Sequence, residues 1–168
     1  MEKQPALKTT RLVLRPFVAD DAAVVQKLCG EREIADTTLS IPHPYPAGAA
    51  EQFIATLAPG WDAGTSAVFA ITLRESCAVI GSIGLSISKV HAYAELGYWV
   101  GVPYWNNGYC TEAALTLLRF GFRELGLHRI QARHLVRNPA SGRPHQNTRT
   151  HHQRALHEPP PQPHRPKQ

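Results

Sequence analysis

The sequence predicts an α+β domain: a mixed central sheet with strands one to four antiparallel, strand five parallel to strand four, and helices flanking it. Three observations carry this. Two β-rich runs, Ser66–Leu73 and residues 77–86, are separated by Arg74-Glu75-Ser76, which is the pattern of a hairpin. Tyr93–Val100, then a helix-periodic stretch over residues 107–125, then residues 128–136 give strand, helix, strand, the order of a parallel crossover. The 168 residues are one domain's worth of chain, and 43% apolar content suits a packed core.

The first strand is expected over residues 10–17, with Leu12 and Leu14 on one face and Arg11, Val13 and Arg15 on the other. Asp20 or Asp21 then caps a helix to about Cys29, with Ala22, Val25 and Leu28 at helical spacing and Gly30 at its end. Residues 31–35 add a short helical turn. Ile41-Pro42-His43-Pro44-Tyr45-Pro46 cannot be regular structure, because alternating prolines hold it extended. Residues 47–57 form the next helix, with Ala50, Phe53, Ile54 and Leu57 on one side and Pro59-Gly60 as its stop.

In the second hairpin strand, Gly81 and Gly84 mark a bulge or a close approach. The helix over 107–125 carries an apolar stripe of Leu115, Leu118, Phe122 and Leu125, widened by Ala114, Leu117 and Gly121, and Gly126 ends it. The crossover to the fifth strand is expected to be right-handed. Asn138 and Pro139 then open a turn or a further helix.

The informative stretch lies at the end of the fourth strand: Ala94-Glu95-Leu96-Gly97-Tyr98-Trp99-Val100, a Gly-Val-Pro turn, then Tyr104-Trp105-Asn106-Asn107-Gly108-Tyr109-Cys110-Thr111-Glu112-Ala113. Such a corner aims the first N–H groups of a helix, and the positive end of its dipole, past the strand end, where phosphate is favoured. Gly108 lets backbone approach a ligand closely. A plain strand–turn–helix corner fits the same pattern.

This run resembles the acetyl-CoA-binding segment of GNAT N-acetyltransferases, Arg/Gln-x-x-Gly-x-Gly/Ala. It is most similar to the RimJ/RimL-like, ribosomal-protein-alanine branch, where Tyr-Trp-x-x-Gly-Tyr-Ala-Thr-Glu-Ala is usual. Trp105 stands at the Arg/Gln position, Gly108 at the first glycine and Cys110 at the Gly/Ala position, facing the expected pyrophosphate. The resemblance implies a GNAT fold and acetyl-CoA as co-substrate. The acceptor it implies is an amine, foremost the N-terminal α-amine of a ribosomal or other protein. It places the pantetheine arm beside Trp99 and Val100, with Asn138 contacting it. It places the phosphates on the backbone of Trp105, Asn106, Asn107, Gly108, Tyr109 and Cys110. Ser141 matches the family serine that protonates the departing thiolate.

Glu95 is the one carboxylate in an otherwise apolar strand. Burial would raise its pKa and suit it as the base; pairing with backbone N–H or with Arg133 is the structural alternative. Glu112 in the first helical turn complements the dipole. His43 and Tyr45 lie on the family's acceptor side, or simply on a stiff loop. Tyr98, Trp99, Tyr104 and Trp105 form either a cofactor wall or core, with at least two expected in the core.

The resemblance runs from about Thr10 to Gly142. From Pro144 onward the chain holds six prolines, five histidines and four glutamines, with Ala155 and Leu156 its only aliphatic residues. Residues 1–143 therefore read as a GNAT domain incomplete at its C-terminus, lacking the usual last helix and strands. Residues 144–168 read as a disordered tail, and a frame shift or truncation would produce so sharp a change. A truncated, inactive remnant that binds CoA weakly or not at all is the rival to the enzyme reading.

The net charge of +5 includes +3 from that tail, so it is no sign of a basic binding face, and the tail lacks the interleaved aromatics of a nucleic-acid binder. Its histidines have no fixed ligand spacing, and no metal is expected. Cys29, Cys77 and Cys110 form no disulfide framework, and no apolar run spans a membrane. With no signal-peptide pattern at residues 1–5, a reducing cytoplasm is the expected compartment.

Overall fold

A computed structural model of the chain describes residues 2–38, 40–132 and 156–157. The strands are β1 (Leu7–Lys8), β2 (Leu12–Arg15), β3 (Ser66–Leu73), β4 (Val79–Ser88), β5 (Tyr93–Val100), β6 (Arg129–Ala132) and β7 (Leu156–His157). The helices are α1 (Ala22–Cys29), α2 (Arg32–Thr37), α3 (Ala49–Ala63) and α4 (Tyr109–Arg123). The sheet order follows the chain order from β1 to β7. Every pairing from β1 to β5 is antiparallel, while β5 and β6 run parallel. The mixed sheet is therefore as expected, with β5–α4–β6 as the crossover.

Alternation along the strands divides the core between the two faces of the sheet. Leu12 and Leu14, Phe69 and Ile71, Ile83 and Leu85, Ala94 and Leu96, and Ile130 are buried on one face against Ala113, Ala114, Leu117, Leu118 and Phe120 of α4. The other face carries α1, α2 and the first half of α3, whose Val25, Cys29, Ile34 and Ala50 pack with Trp99.

Two expectations need correction. The α4 stripe is rotated from the predicted one: Leu115 is 45% exposed, while Phe120 is buried. Phe120 sits edge-on to Phe69 and stacks on Trp61. Ala114, Leu117 and Gly121 lie at the centre of the buried face and not at its margin. Secondly, α3 runs through Pro59 and Gly60 to Gly64, which caps it at φ +67°. A helix-interior proline costs about 3 kcal/mol. The next turn holds Trp61, buried against Phe120, with its indole N–H donating to the Glu2 carbonyl at 2.8 Å. Burying a side chain of about 150–250 Å² offsets that cost. Leu156–His157, within residues 144–168, pairs antiparallel with β6 through Ile130↔Leu156 and Arg129↔His157. The rest of residues 133–168, including the Asn138–Ser141 motif, lies outside the described residues.

The chain also carries a short β1 that alternation did not reveal. Asp21 does not cap α1 through its side chain. Its carboxylate is held by Arg15 and by the Val18 N–H instead. The glycine expectation in β4 holds: a Cβ on Gly81 would sit 2.3 Å from the Trp99 carbonyl oxygen. Next to it the β3–β4 register slips between Ile71 and Thr72, leaving Ile80 as the extra residue.

Candidate active site

The site is built around the C-terminal end of β5. Pairing with β6 runs from Tyr93↔Arg129 to Leu96↔Ala132. Pairing with β4 continues to Val100↔Gly81. Among the described residues, 97–100 therefore have a partner strand on one side only. At this end of β5, Val102–Tyr104 forms a single 3₁₀ turn, and residues 105–108 lead into α4.

Asn106 and Gly108 adopt left-handed backbone, at φ +62° and +76°. This winds the chain so that the N–H groups of residues 106–111 find no acceptor among the described residues; the first bond of the helix is Glu112 N–H to the Gly108 carbonyl. Residues 106–108 are exposed. Six consecutive free amides at the positive end of a 15-residue helix form an anion-binding concavity.

The loop is pinned by residues that the sequence reading passed over. The Arg11 guanidinium donates to the Asn107 carbonyl at 2.8 Å and to the Glu112 carboxylate at 2.7 Å. It also lies 4.6 Å above the Tyr109 ring. The Arg11 backbone N–H and the Thr9 hydroxyl donate to the other Glu112 oxygen. Partial burial alone would raise the Glu112 pKa. The bonds from Thr9 and Arg11 outweigh it and hold the carboxyl below its ordinary range. Glu112 thus does more than complement the dipole: it ties the loop to the corner between β1 and β2. Only the placement of Arg11 on the polar face of its strand was legible in advance.

The other predicted residues divide sharply. The Trp105 indole N–H donates to the Val100 carbonyl, at 2.6 Å, and so ties the turn to the strand end. Tyr98, Trp99, Tyr104 and Trp105 all pack in the two core clusters. The Asn107 side chain bonds back to the Tyr104 and Trp105 carbonyls, both at 3.0 Å, and stiffens the turn. Cys110 turns its side chain into the core beneath α4 and does not face the loop. Burial pushes its thiol up to about 12, so at neutral pH it is no thiolate nucleophile.

On the α1 side of the sheet lies a cavity of about 710 Å³. Its floor is three short rows set by the strand register: Ser66, Ser86 and Glu95; Val68, Gly84 and Gly97; Ser82 and Trp99. Val25 and Cys29 of α1, Ala49 and Phe53 of α3 and the loop through Thr38, Ile41 and Tyr45 enclose it. Glu95 is half-buried on this floor and not sealed in the core. Burial raises the Tyr45 phenol above its ordinary value. His43 is exposed and lines no part of the cavity. A corner of free amides suited to an anion and a chamber with a carboxylate thus meet along β5.

Comparison with known proteins gives the same answer by another route. The family model for an acetyltransferase (GNAT) domain matches residues 11–148. The chain belongs to the GNAT acetyltransferase family. The match runs past the change of composition at Pro144. This GNAT protein is 29% identical over 140 residues to the uncharacterized N-acetyltransferase YoaA of Bacillus subtilis, covering 83% of this chain and 78% of that one. It resembles a structure from Vibrio cholerae provisionally named a ribosomal-protein-serine acetyltransferase, with a TM-score of 0.72 and 27% identity over 87% of this chain and 83% of that one. RimL, a ribosomal L7/L12 α-N-protein acetyltransferase solved with coenzyme A, shares the fold with a TM-score of 0.77 at 16% identity, covering 85% of this chain and 82% of RimL. Among the described residues no helix is long and apolar enough to cross a membrane.

Proposed function

We propose that this GNAT acetyltransferase uses acetyl-CoA to acetylate a primary amine. The cofactor diphosphate lies on the amides of residues 106–111, and the pantetheine arm runs along residues 97–100. The amine enters the chamber beside Glu95. What carries this reading is the row of six amides that have no acceptor among the described residues, at the end of β5 that borders the chamber. The RimL and Vibrio cholerae neighbours support a protein N-terminal α-amine as the acceptor. Asn138 and Ser141 stay in the proposal on their motif alone, as pantetheine contact and proton donor.

The chemistry balances simply. Glu95, directly or through one water, takes a proton from the ammonium form of the acceptor. The freed nitrogen lone pair attacks the thioester carbonyl, a C–N bond forms, and the C–S bond breaks. As the amide forms, the nitrogen sheds its second proton, and the departing thiolate takes it, relayed by the Ser141 hydroxyl, and leaves as CoA thiol. The protein's part is to hold the thioester next to the amine and to supply donors for the developing oxyanion.

Calorimetric titration with acetyl-CoA tests this. Micromolar binding is expected. A folded sample that shows no binding heat would overturn the reading and leave an inactive relative. Gly108→Val makes the test local: a β-branched residue at φ +76° is strained by about 1–3 kcal/mol and crowds the loop. Its acetyl-CoA affinity is expected to fall at least tenfold, while that for S-acetylpantetheine, which lacks the diphosphate, is unchanged.

Arg11→Ala should act on the same discrimination. It leaves the Glu112 carboxylate unneutralised beside the phosphate amides, so acetyl-CoA affinity is expected to fall about tenfold, or about 1.4 kcal/mol. Adding Glu112→Gln is expected to recover part of the loss, since the repelling charge goes too. Equal loss for S-acetylpantetheine would instead mean that Arg11 merely supports the fold.

A further inference from the structure

We propose that Gln26 is a positioning residue for the second substrate: its side-chain amide holds together the wall of the chamber against which the acceptor lies. This rests on the acyl-transfer reading, and it adds a residue that belongs neither to the proton path nor to the cofactor path.

Gln26 stands on α1 beside Val25, which the helix buries. Its side chain is half-buried, and both polar atoms of its amide are used. Nε2 donates to the Tyr45 carbonyl at 3.3 Å and to the Pro46 carbonyl at 3.0 Å, while Oε1 accepts from the Ala50 N–H at 3.4 Å. The flipped amide would set donor against donor at Ala50 and acceptor against acceptor at the two carbonyls, so the partners fix the orientation. One side chain therefore joins α1, the loop of residues 40–46 and the start of α3.

The loop has few other ties. Pro42, Pro44 and Pro46 bring no N–H to it. Among the described residues, the one other hydrogen bond to residues 40–46 runs from the Ala49 N–H to the Pro46 carbonyl, at 3.1 Å. The head of α3 also lacks a cap of its own, because its N-cap is Gly48, which has no side chain to offer a first-turn amide. Gln26 does this for Ala50 from another helix.

All three joined elements line the chamber: Val25 and Cys29 from α1, Ile41 and Tyr45 from the loop, Ala49 and Phe53 from α3. Tyr45 also packs against the cluster that α1 and α3 share. None of the Gln26 bonds goes to residues 97–100 or 106–111. Losing them loosens the acceptor side and leaves the cofactor contacts in place. An acceptor long enough to reach the wall then orders it on binding and loses affinity. An amine too short to reach it loses nothing.

The experiment compares wild type with Gln26→Met, which has similar length and no hydrogen bonds, and Gln26→Glu. The carboxylate of Gln26→Glu can still accept from Ala50 but faces the two carbonyls without a hydrogen. Acetyl-CoA affinity, hydrogen exchange over residues 40–52, and kcat and KM for the tetrapeptide amide Ala-Leu-Ser-Phe and for glycinamide are measured on each. Gln26→Met should raise KM for the tetrapeptide about fivefold, the scale of one net hydrogen bond, and Gln26→Glu should raise it further. The kcat for the tetrapeptide, the KM for glycinamide and the acetyl-CoA affinity should each stay within about threefold, the split expected when only acceptor binding is lost. Exchange over residues 40–52 should quicken in both variants. An equal rise in KM for both amines, wild-type KM for the tetrapeptide in Gln26→Glu, unchanged exchange, or no acetylation of either amine by protein that binds acetyl-CoA would each overturn the inference. Failure of the wild type to bind acetyl-CoA would instead sink the acyl-transfer reading on which it stands.

Discussion

Replacing Glu95 by Gln is expected to lower kcat at pH 7 by at least about 10²-fold, within the range general-base catalysis supplies, while acetyl-CoA affinity stays within about twofold. The side chain keeps its shape and loses only the ability to accept a proton. Glu95 sits opposite Ser86 on one side and Gln131 on the other, in a fully paired part of β5, so the neutral variant is expected to fold. A pH profile separates the chemical role from a structural one. An α-amine loses its own proton near pH 8. Above that, the acceptor arrives neutral and the deficit of Glu95→Gln should shrink. A deficit that stays constant from pH 6 to pH 9.5 would remove Glu95 from the proton path.

Asp21→Ala should produce the largest loss of stability. The Asp21 side chain is 7% exposed and receives both Arg15 guanidinium nitrogens, at 2.8 and 2.9 Å, and the Val18 N–H at 2.9 Å. It thereby fastens the end of β2 to the start of α1, the helix that roofs the chamber. Removing it strands a half-buried guanidinium and an amide. Breaking such a pair costs about 3–5 kcal/mol, a large part of a typical total of about 5–15 kcal/mol. The melting temperature is expected to drop by about 10 °C. A drop under about 2 °C would show the pair to be dispensable.

The pair also has an acid signature. Burial favours the protonated Asp21, but the bonds from Arg15 and Val18 win and lower its pKa in the folded state. On acidification the unfolded chain binds the proton first. The contribution is full above the unfolded value, about pH 4, and is lost as pH falls through the lower folded value. Asp21→Asn should therefore flatten the stability profile in that window.

The strand–corner–helix stretch was legible because its signals are local. Left-handed turns ask for glycine or Asn, as Gly108 and Asn106 show, and helix starts need no distant partner. The two residues that complete the site on either side were not legible, for the opposite reason. Arg11 meets Asn107 and Glu112 about 100 positions away, through a β1–β2 corner that alternation did not disclose. Gly97 read as one more glycine in a strand, and only its place on the chamber floor, with no described atom within 4 Å of a Cβ there, sets it apart from Gly84 and Gly81. Trp105 looked like a cofactor contact by motif position. Its indole N–H also donates to the Val100 carbonyl at the strand end, a contact the motif does not disclose. The α4 stripe was misplaced because the apolar residues cover much of that helix, and periodicity alone cannot choose which arc meets a sheet.

By itself, the sequence determined the order of the elements, the mixed sheet, the amide-rich corner after β5 and the family, since each follows from residues close together in the chain. Only the tertiary structure decided which carboxylate faces a chamber, which arginine holds the corner and which glycines lie on the chamber floor. Those depend on strand register and on which helix face is buried, and both are set by contacts between residues far apart in the chain.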